Sequence, residues 1–249
     1  MGSVLYYIVA LLFTLVCFVP FTLLFLVTLP FDRERVVLHH ASRIWARGLY
    51  RCSPLWHVKV EGLERIDRRQ PYVIVTNHQS MLDIPLMYVL PLNFKWVSKK
   101  EVQKIPIFGQ VLMMHGDIPV KRGSASSARE MMRKSAERLS RGTSVIIFPE
   151  GTRSRNGRIG PFKEGAFRLA AGSGVPILPV VHEGNGSVTE GWRVKMPHRF
   201  TVRVLEPVPA ERVAAGNPGE LAAEVHELMV MEHAKMRPDL YDTQKTKTA

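Results

Sequence analysis

The segment from Val4 to Phe31 constrains the fold more than any other feature, because its 28 residues contain no charged side chain. As a straight helix it would be about 42 Å long, and the hydrocarbon core of a bilayer is about 30 Å thick. The three residues before it carry no basic side chain, and its end lacks the small-residue cleavage site of a signal peptide. We therefore expect a retained membrane anchor.

Pro20 lies within this segment, and proline breaks or kinks a helix. Two geometries fit the pattern. One is a single tilted span, and the other is a hairpin whose first arm covers residues 4–19, turns near Pro20 and returns through the next helix. That first arm would be about 24 Å long, which is slightly too short to cross a bilayer.

A basic segment follows, with no acidic residue between Glu34 and Glu61. Its arginines are Arg33, Arg35, Arg43, Arg47 and Arg51. The positive-inside bias predicts that this flank and the body of the chain lie on the cytoplasmic face of the membrane. In a bacterium this would be the inner membrane.

The same segment predicts an amphipathic helix, either at the level of the lipid headgroups or packed on the domain. Within it we expect His39 and His40 to be solvated or to face the headgroups. The apolar residues that recur at helical spacing are Val36, Val37, Ile44, Trp45 and Leu49.

The chain carries 34 basic and 22 acidic residues, a net charge of +12, which favours an anionic partner. A phosphorylated substrate and an anionic bilayer both fit. Nucleic acid is not predicted, because the sequence shows no reading motif and no basic run interleaved with aromatic residues. Cys17 and Cys52 cannot form a disulfide framework, which fits a reducing compartment.

After residue 52, short β-branched runs alternate with helical patterns, which predicts an α/β domain with a central, mostly parallel or mixed sheet flanked by helices. The predicted strands are 55–61, 72–76, 94–97, 118–120, 144–148, 177–181 and 200–205. The predicted helices are 83–90, 106–114, 124–141, 164–173 and 217–236. We expect the membrane anchor and amphipathic helix at 1–52, one folded domain at 53–238 and a frayed tail at 239–249.

Ligands of such sheets bind where strands end and helices begin, so the residues after each strand are the candidate site. The second predicted strand is followed by a segment that runs from Asn77 to Asp83. His78 and Asp83 would lie about 140° apart on one continuous helix, so they can meet only if His78 is in the loop and Asp83 in the first helical turn. Ser80 and Asp83 match a capping box, and Pro85 is tolerated only in a first turn.

In that arrangement Asp83 would accept a hydrogen bond from one ring nitrogen of His78 and leave the other nitrogen as a general base. Such a base is needed for acyl transfer to a hydroxyl, which is a poor nucleophile at neutral pH. The spacing alone also fits a structural interpretation, in which Asp83 caps the helix and His78 is an ordinary loop residue.

The segment 148–155, Phe-Pro-Glu-Gly-Thr-Arg-Ser-Arg, follows another predicted strand. Its Arg153 and Arg155 can hold a phosphate, and Glu150 can orient hydroxyls or the arginines. By itself the segment also fits a surface turn with a solvated ion pair.

Two further segments complete the pattern. The segment 116–122, Gly-Asp-Ile-Pro-Val-Lys-Arg, ends a strand with two adjacent cations. The segment 174–180, Gly-Val-Pro-Ile-Leu-Pro-Val, fits either a buried strand or the lining of an acyl pocket.

Taken in this order, the four segments resemble the glycerolipid acyltransferase family, typified by 1-acyl-sn-glycerol-3-phosphate acyltransferase. The resemblance covers about residues 70–182, and the apolar N-terminus is similar too. Asn-His-x-x-x-x-Asp and Phe-Pro-Glu-Gly-Thr-Arg-Ser are highly specific in combination. Lys99-Lys100-Glu101, Pro106-Ile107-Phe108-Gly109 and Phe162-Lys163-Glu164-Gly165 also resemble the family.

One segment departs from the family pattern. Ile-Pro-Val-Lys-Arg, which ends at Arg122, stands where an aromatic and an acidic residue are common. Arg122 is therefore kept as a site residue, and Lys121 is not assigned a role.

The resemblance implies direct acyl transfer from acyl-coenzyme A or acyl-carrier protein to lysophosphatidic acid (1-acyl-sn-glycerol-3-phosphate), giving phosphatidic acid at a membrane. It implies that His78 is the base and that Asp83 orients it. No bound cofactor, metal ion or covalent enzyme intermediate is expected. The implied substrate-binding residues are Arg122, Glu150, Gly151, Thr152 and Arg153, with Lys100 and Arg155 as outer candidates.

Other functions fit parts of the sequence. The acceptor of the same reaction can be another lyso-lipid, such as a lyso-ornithine lipid or a different lysophospholipid. A non-catalytic membrane-binding protein on this fold would be expected to have lost His78, Asp83 or Glu150, but all three are present. A hydrolase would more often show a metal cluster or a nucleophile elbow, and the sequence shows neither.

Overall fold

A computed structural model describes residues 2–241, which contain a seven-stranded sheet with helices on both faces and a separate two-stranded hairpin. The strands are β1 (Trp56–Glu61), β2 (Val73–Thr76), β3 (Phe94–Lys99), β4 (Ile118–Val120), β5 (Ser144–Ile147), β6 (Ile177–Glu183), β7 (Thr189–Glu190), β8 (Arg193–Val194) and β9 (His198–Val204). The helices are α1 (Ser3–Thr28), α2 (Val36–Arg51), α3 (Asp83–Met87), α4 (Phe108–His115), α5 (Ala125–Ser140), α6 (Gly165–Ser173), α7 (Ala210–Ala215), α8 (Pro218–Met236) and α9 (Pro238–Tyr241).

The strand order in the large sheet is β1-β9-β6-β2-β5-β3-β4. Every neighbouring pair is parallel except β6 and β9, so the mostly parallel sheet is as predicted. The five strands β6, β2, β5, β3 and β4 therefore end at one edge. The chain leaves β2 towards β3 on one side and leaves β5 towards β6 on the other, which makes the β2–β5 boundary a topological switch point. Open α/β sheets bind ligands at such points.

The central strands β2 and β5 are built mainly from β-branched apolar residues, as expected for parallel strands that are covered on both faces. Ile74 packs into a core beneath α2 and α3 that includes Leu86. Val73, next to it, packs into the opposite core with Phe167 of α6 and Met229 of α8. The alternation of side chains along β2 thus fixes which helices cover which face.

Each predicted strand and helix overlaps an observed element, but α7 and the β7–β8 hairpin were not predicted. The predicted frayed tail is wrong for its first residues, because α9 packs on the loop that follows β5. Arg158 Nε donates to the carbonyl oxygen of Leu240, and Ile159 N donates to Tyr241 Oη (3.0 Å). The rest of that tail, residues 242–249, lies outside the described residues.

The apolar segment forms one continuous helix, so of the two geometries that fit the sequence the one with a turn near Pro20 is wrong. Pro20 removes one backbone N–H, but the helix continues through it because the remaining turns keep their hydrogen bonds. The chain reverses instead between α1 and α2, where Asp32 accepts from Val36 N (2.8 Å) and Val37 N (3.0 Å) and caps α2. A hairpin therefore exists, with its turn at residues 29–35.

The two helices of this hairpin pack side by side. Trp45 Nε1 donates to Thr14 Oγ1 (3.2 Å), and Gly48 leaves room for the ring of Phe13. α1 is about 39 Å long, is apolar enough to cross a membrane, and exposes most of its apolar side chains. Such a helix is typical of a membrane-attached protein.

α2 packs one face on the domain and leaves Val36, Val37 and Ile44 exposed, so it is amphipathic as predicted. The prediction for His40 holds, because it is exposed. His39 was expected to be solvated, which is wrong. It is buried against His115, with 3.3 Å between His39 Nδ1 and His115 Nε2.

We predict that Gly109→Ala destabilises the fold, because a Cβ atom there would lie 2.0 Å from the backbone oxygen of Gln103. Because the backbone of Gln103 cannot shift without disturbing the packing around it, the free energy of unfolding should fall by about 1–3 kcal/mol, as measured by urea unfolding in detergent. Gly172→Ala is the matched control: Gly172 lies in α6 with no atom within 4 Å of the added carbon, so stability should be unchanged or rise by about 0.5–1 kcal/mol. Equal stability of the two variants would contradict the close approach at Gly109.

Candidate active site

His78 and Asp83 meet as predicted, since His78 lies in the loop after β2 and Asp83 begins α3. The distance from His78 Nδ1 to Asp83 Oδ2 is 2.7 Å. Asp83 is fully buried, and an ionised carboxylate can only accept hydrogen bonds. Nδ1 therefore carries the proton of the neutral ring, and Nε2 is the nitrogen that can act as a base.

The loop between these two residues folds around the same carboxylate. Asp83 Oδ2 also accepts from Gln79 N (2.7 Å) and Ser80 N (2.8 Å). Only half of the predicted capping box forms, because Ser80 Oγ accepts from Leu82 N (3.2 Å) instead of the amide of Asp83. The other oxygen, Asp83 Oδ1, accepts from Asn185 Nδ2 (2.9 Å). The carboxylate thus holds the histidine through both its side chain and its loop.

The ring of His78 is also fixed by stacking. It lies parallel to Phe148, with 3.9 Å between ring centroids and 12° between planes, and Phe148 stacks on Trp96 at 5.2 Å. The His78 side chain is 13% exposed, which leaves it accessible from one side. Rotation of the imidazole is therefore opposed by a hydrogen bond and an aromatic face together.

Glu150, a predicted substrate-binding residue, connects two loops and does not line the cavity. Its Oε1 accepts from His78 N (2.7 Å) and its Oε2 from Gly160 N (2.8 Å). Burial raises the pKa of Glu150 to about 7, while these two N–H donors act in the opposite direction. Ser154 N donates to the carbonyl oxygen of His78 (2.8 Å) and adds a second link between the loops.

A cavity of about 580 Å³ opens beside His78, in the size range of small-molecule sites. One part of its wall is apolar and consists of side chains from β3, β4, β5 and the helices beside them. These residues include Val97, Leu112, Val120, Met131, Ile147 and Ala166. The cavity can therefore accommodate an apolar chain next to the histidine.

Five basic residues line the same cavity, and none of the described residues that line it is acidic. They come from the ends of neighbouring strands and from the segment before α6: Lys99, Lys121, Arg122, Arg153 and Lys163. Because these cations share a cavity without carboxylates, they favour an anionic ligand such as a phosphate.

Gly151 gives the turn after β5 its shape. Its φ of +70° lies in the left-handed region, and a Cβ atom there would be 2.9 Å from Lys163 Nζ. The backbone conformation therefore favours glycine here, whereas the flexible end of Lys163 could move aside.

The structure brings together most of the predicted site residues. His78, Arg122, Gly151, Thr152 and Arg153 line the cavity, with Asp83 directly behind His78. The predicted residues that do not line it are Lys100, Glu150 and Arg155.

Several cavity residues were missed by the sequence analysis. Lys99 is the last residue of β3, which extends two residues beyond the predicted strand, so a correct strand end would have identified it. Lys163 lies in a segment quoted for the family resemblance, and Lys121 had no assigned role. Phe148 belongs to the segment 148–155, but its role gave no signal, because stacking on His78 depends on the pairing of distant strands. Within residues 2–241 no group of three His, Cys, Asp or Glu side chains could hold a metal ion.

Known proteins resemble this chain in the region that contains the site. Residues 57–183 match the family model described as Acyltransferase. A chloroplastic 1-acyl-sn-glycerol-3-phosphate acyltransferase of Brassica napus is 38% identical over 189 residues, which are 75% of this chain and 52% of the relative. The 1-acyl-sn-glycerol-3-phosphate acyltransferase of Saccharomyces cerevisiae is 31% identical over 82% of this chain and 71% of its own length. This chain belongs to the acyltransferase family.

The fold of this acyltransferase is also found in a solved structure. The crystal structure of the 1-acyl-sn-glycerophosphate acyltransferase from Thermotoga maritima superposes with a TM-score of 0.70 at 25% identity, over 93% of this chain and 97% of that one. The chain spans about half the length of the plant relative. All residues that line the cavity of the acyltransferase lie within the matched range 57–183.

We predict that Glu150→Gln lowers the free energy of unfolding by about 1–3 kcal/mol. A glutamine can keep one acceptor oxygen, but its NH2 group then faces either Gly160 N or His78 N and leaves that buried donor unpaired. Unfolding should be measured at pH 8, above the pKa of Glu150, so that the wild-type carboxylate is ionised. Glu164→Gln removes an exposed carboxylate paired with Arg168 and should change stability by less than about 0.5 kcal/mol. Equal effects of the two substitutions would refute the connecting role of Glu150.

Proposed function

We propose that this acyltransferase moves a fatty acyl group from an acyl thioester to the free hydroxyl of 1-acyl-sn-glycerol-3-phosphate and releases phosphatidic acid. The observation that carries the proposal is the shared cavity, in which an oriented histidine, a cluster of cations and an apolar wall lie together. The cations match the phosphate of lysophosphatidic acid, the histidine matches its free hydroxyl, and the apolar wall matches an acyl chain. The names of the relatives support the same acceptor.

The proposed reaction begins with the acceptor hydroxyl beside His78. Nε2 of His78 takes the hydroxyl proton as the oxygen attacks the thioester carbonyl, which gives a tetrahedral intermediate with a negative oxygen. Its collapse breaks the carbon–sulfur bond, and the thiolate leaves with the proton that His78 returns. Asp83 holds Nδ1 throughout and stabilises the imidazolium that forms between the two steps. The enzyme carries no acyl group at any stage.

The acceptor is proposed to bind through its phosphate. Arg122 and Arg153 lie in the segments that follow β4 and β5 and line the same cavity, and a guanidinium binds a phosphate with two parallel hydrogen bonds. Lys121 and Lys163 add charge without that geometry. The phosphomonoester of lysophosphatidic acid carries more charge than the diester of other lysophospholipids, so this cluster favours it.

The acyl donor is proposed to be an acyl thioester of coenzyme A or of acyl-carrier protein. Both present the same reacting group and both are acidic, which the net charge of +12 attracts. The apolar wall lined by Leu112 and Met131 offers a surface for the donor's acyl chain. Assays that offer oleoyl-coenzyme A and oleoyl-acyl-carrier protein in parallel distinguish the two carriers.

We also propose that the catalytic domain lies on the cytoplasmic face of the membrane. The arginines that follow α1 and the exposed apolar surface of the α1–α2 hairpin support this placement. Both the acceptor and the product partition into the bilayer, so an attached enzyme meets its substrate where the substrate resides.

We predict that His78→Ala reduces kcat at least about a hundredfold, because the variant lacks the general base. The assay uses membranes that contain the variant, labelled oleoyl thioester and lysophosphatidic acid, and it measures phosphatidic acid. His57→Ala is the control, since His57 is an exposed histidine on β1, and it should keep wild-type activity. A fully active His78→Ala variant would rule out the proposed chemistry, and an inactive wild type with both donors would rule out the proposed function.

We predict that Arg122→Ala and Arg153→Ala each lower kcat/KM for lysophosphatidic acid by about ten- to a hundredfold, mainly through KM. Each substitution removes a charge-assisted contact with the phosphate. With a monoacylglycerol acceptor, which has no phosphate, the same variants should match the wild type. Arg155→Ala is the control from the same loop, because Arg155 does not line the cavity, and its KM should change less than about twofold. Equal losses with both acceptors would argue against phosphate binding by these arginines.

A further inference from the structure

The carboxylate that orients the base is itself held by a residue from outside the family-matched range. Asn185 follows β6, is 1% exposed, and donates from Nδ2 to Asp83 Oδ1 at 2.9 Å. Because a carboxylate can only accept, the NH2 group of Asn185 must face Asp83 and its Oδ1 must face the other way. The remaining acceptor of the amide is therefore directed at a second partner.

That second partner is Tyr50, which lies near the end of α2. Its hydroxyl is 3.2 Å from Asn185 Oδ1 and 3.0 Å from the carbonyl oxygen of Leu82, the residue before Asp83, and its one hydrogen is shared between these acceptors. Burial, and secondly the charge of Asp83, raise the pKa of Tyr50 well above its usual range, so the hydroxyl stays protonated as the donor. The ring packs edge-on against Phe200 at 4.9 Å, which fixes its position.

Other groups near the carboxylate do not replace these contacts. His182 Nε2 is 3.7 Å from Asp83 Oδ1, but it is 2.6 Å from the carbonyl oxygen of Asn77 and donates there. Burial lowers the pKa of His182, which keeps that ring neutral. Among the described residues, Asn185 is thus the side chain that donates to Asp83 Oδ1.

We infer that Asn185 and Tyr50 are positioning residues for the His78–Asp83 pair, and that α2 of the α1–α2 hairpin takes part in orienting the base. The inference rests on the proposed acyl transfer and adds to it two residues that touch no substrate. Tyr50 bonds both to the backbone at the start of α3 and to the amide that holds the carboxylate. A shift of α2 would therefore change the orientation of Asp83 and, through it, of His78.

The test compares four full-length proteins in membranes: wild type, Asn185→Leu, Tyr50→Phe and the double variant. Leucine keeps the branching of the asparagine side chain, although it is larger, and removes both hydrogen bonds, while phenylalanine keeps the ring and removes only the hydroxyl. We expect kcat to fall about ten- to a hundredfold for Asn185→Leu and about two- to tenfold for Tyr50→Phe. KM for lysophosphatidic acid and for the thioester should stay within about twofold of wild type, because neither residue lines the cavity.

The double variant tests whether Tyr50 acts through Asn185. If it does, the double variant should have the kcat of Asn185→Leu alone, whereas independent contributions would multiply. Tyr6→Phe is the matched control: Tyr6 is a buried tyrosine of the same hairpin, packed on Trp56 at 4.7 Å, and it lies outside the Asp83 network. Its kcat should equal that of the wild type.

The outcomes separate this inference from the proposed function. An active wild type together with unchanged kcat in Asn185→Leu and Tyr50→Phe overturns the inference alone. Multiplying effects in the double variant, or an equal loss in Tyr6→Phe, also overturn it. A wild type that transfers no acyl group from either donor overturns both. Tyr50→Phe changes one atom, so it keeps the test decisive if Asn185→Leu does not fold.

Discussion

The active site depends on a single buried charge, the carboxylate of Asp83. A carboxylate removed from water costs several kcal/mol unless hydrogen-bond donors replace the solvent. Here the donors are Nδ1 of His78, two backbone N–H groups of the intervening loop and the amide of Asn185. Since three of the four come from the loop itself, satisfying the charge and folding the loop are the same event. The conformation that buries Asp83 well is also the one that presents His78 to the cavity.

A second carboxylate, Glu150, extends this arrangement to the neighbouring loop. It accepts from the backbone of His78 and of Gly160, and so joins the loop after β2 to the loop after β5. His78 lies in the first loop, and Arg153 lies in the second. The proposed acyl transfer requires the hydroxyl and the phosphate of one acceptor to be held at a fixed separation. In that proposal Glu150, which does not line the cavity, contributes by fixing the two loops relative to each other.

The sequence predicts the fold well where local pattern and packing agree. The β-branched runs of β2 and β5 are buried on both faces, so their composition alone identifies them, and the residues after them form the site. Pro20 left two geometries open, because the sequence does not show whether the turns on either side of a proline keep their hydrogen bonds, as they do here. β7 and β8 have two residues each, too few for an alternating pattern to be visible. The hydrogen bond from His78 N to Glu150 and the stacking of Phe148 on His78 are contacts between residues some 70 positions apart. No local sequence pattern encodes such contacts.

α2 packs both on the apolar helix α1 and on the domain that contains the sheet. One face of α2 contacts α1 through Trp45 and Gly48, and the other contributes Ala46 and Tyr50 to the core beneath the sheet. An anchor that served only for attachment would need no buried polar contact with the domain. The Tyr50 hydroxyl nevertheless reaches the backbone of Leu82 and the side chain of Asn185, inside a region where every unpaired polar group is costly. The inferred support of the base therefore begins in α2, the helix that packs on the apolar helix α1.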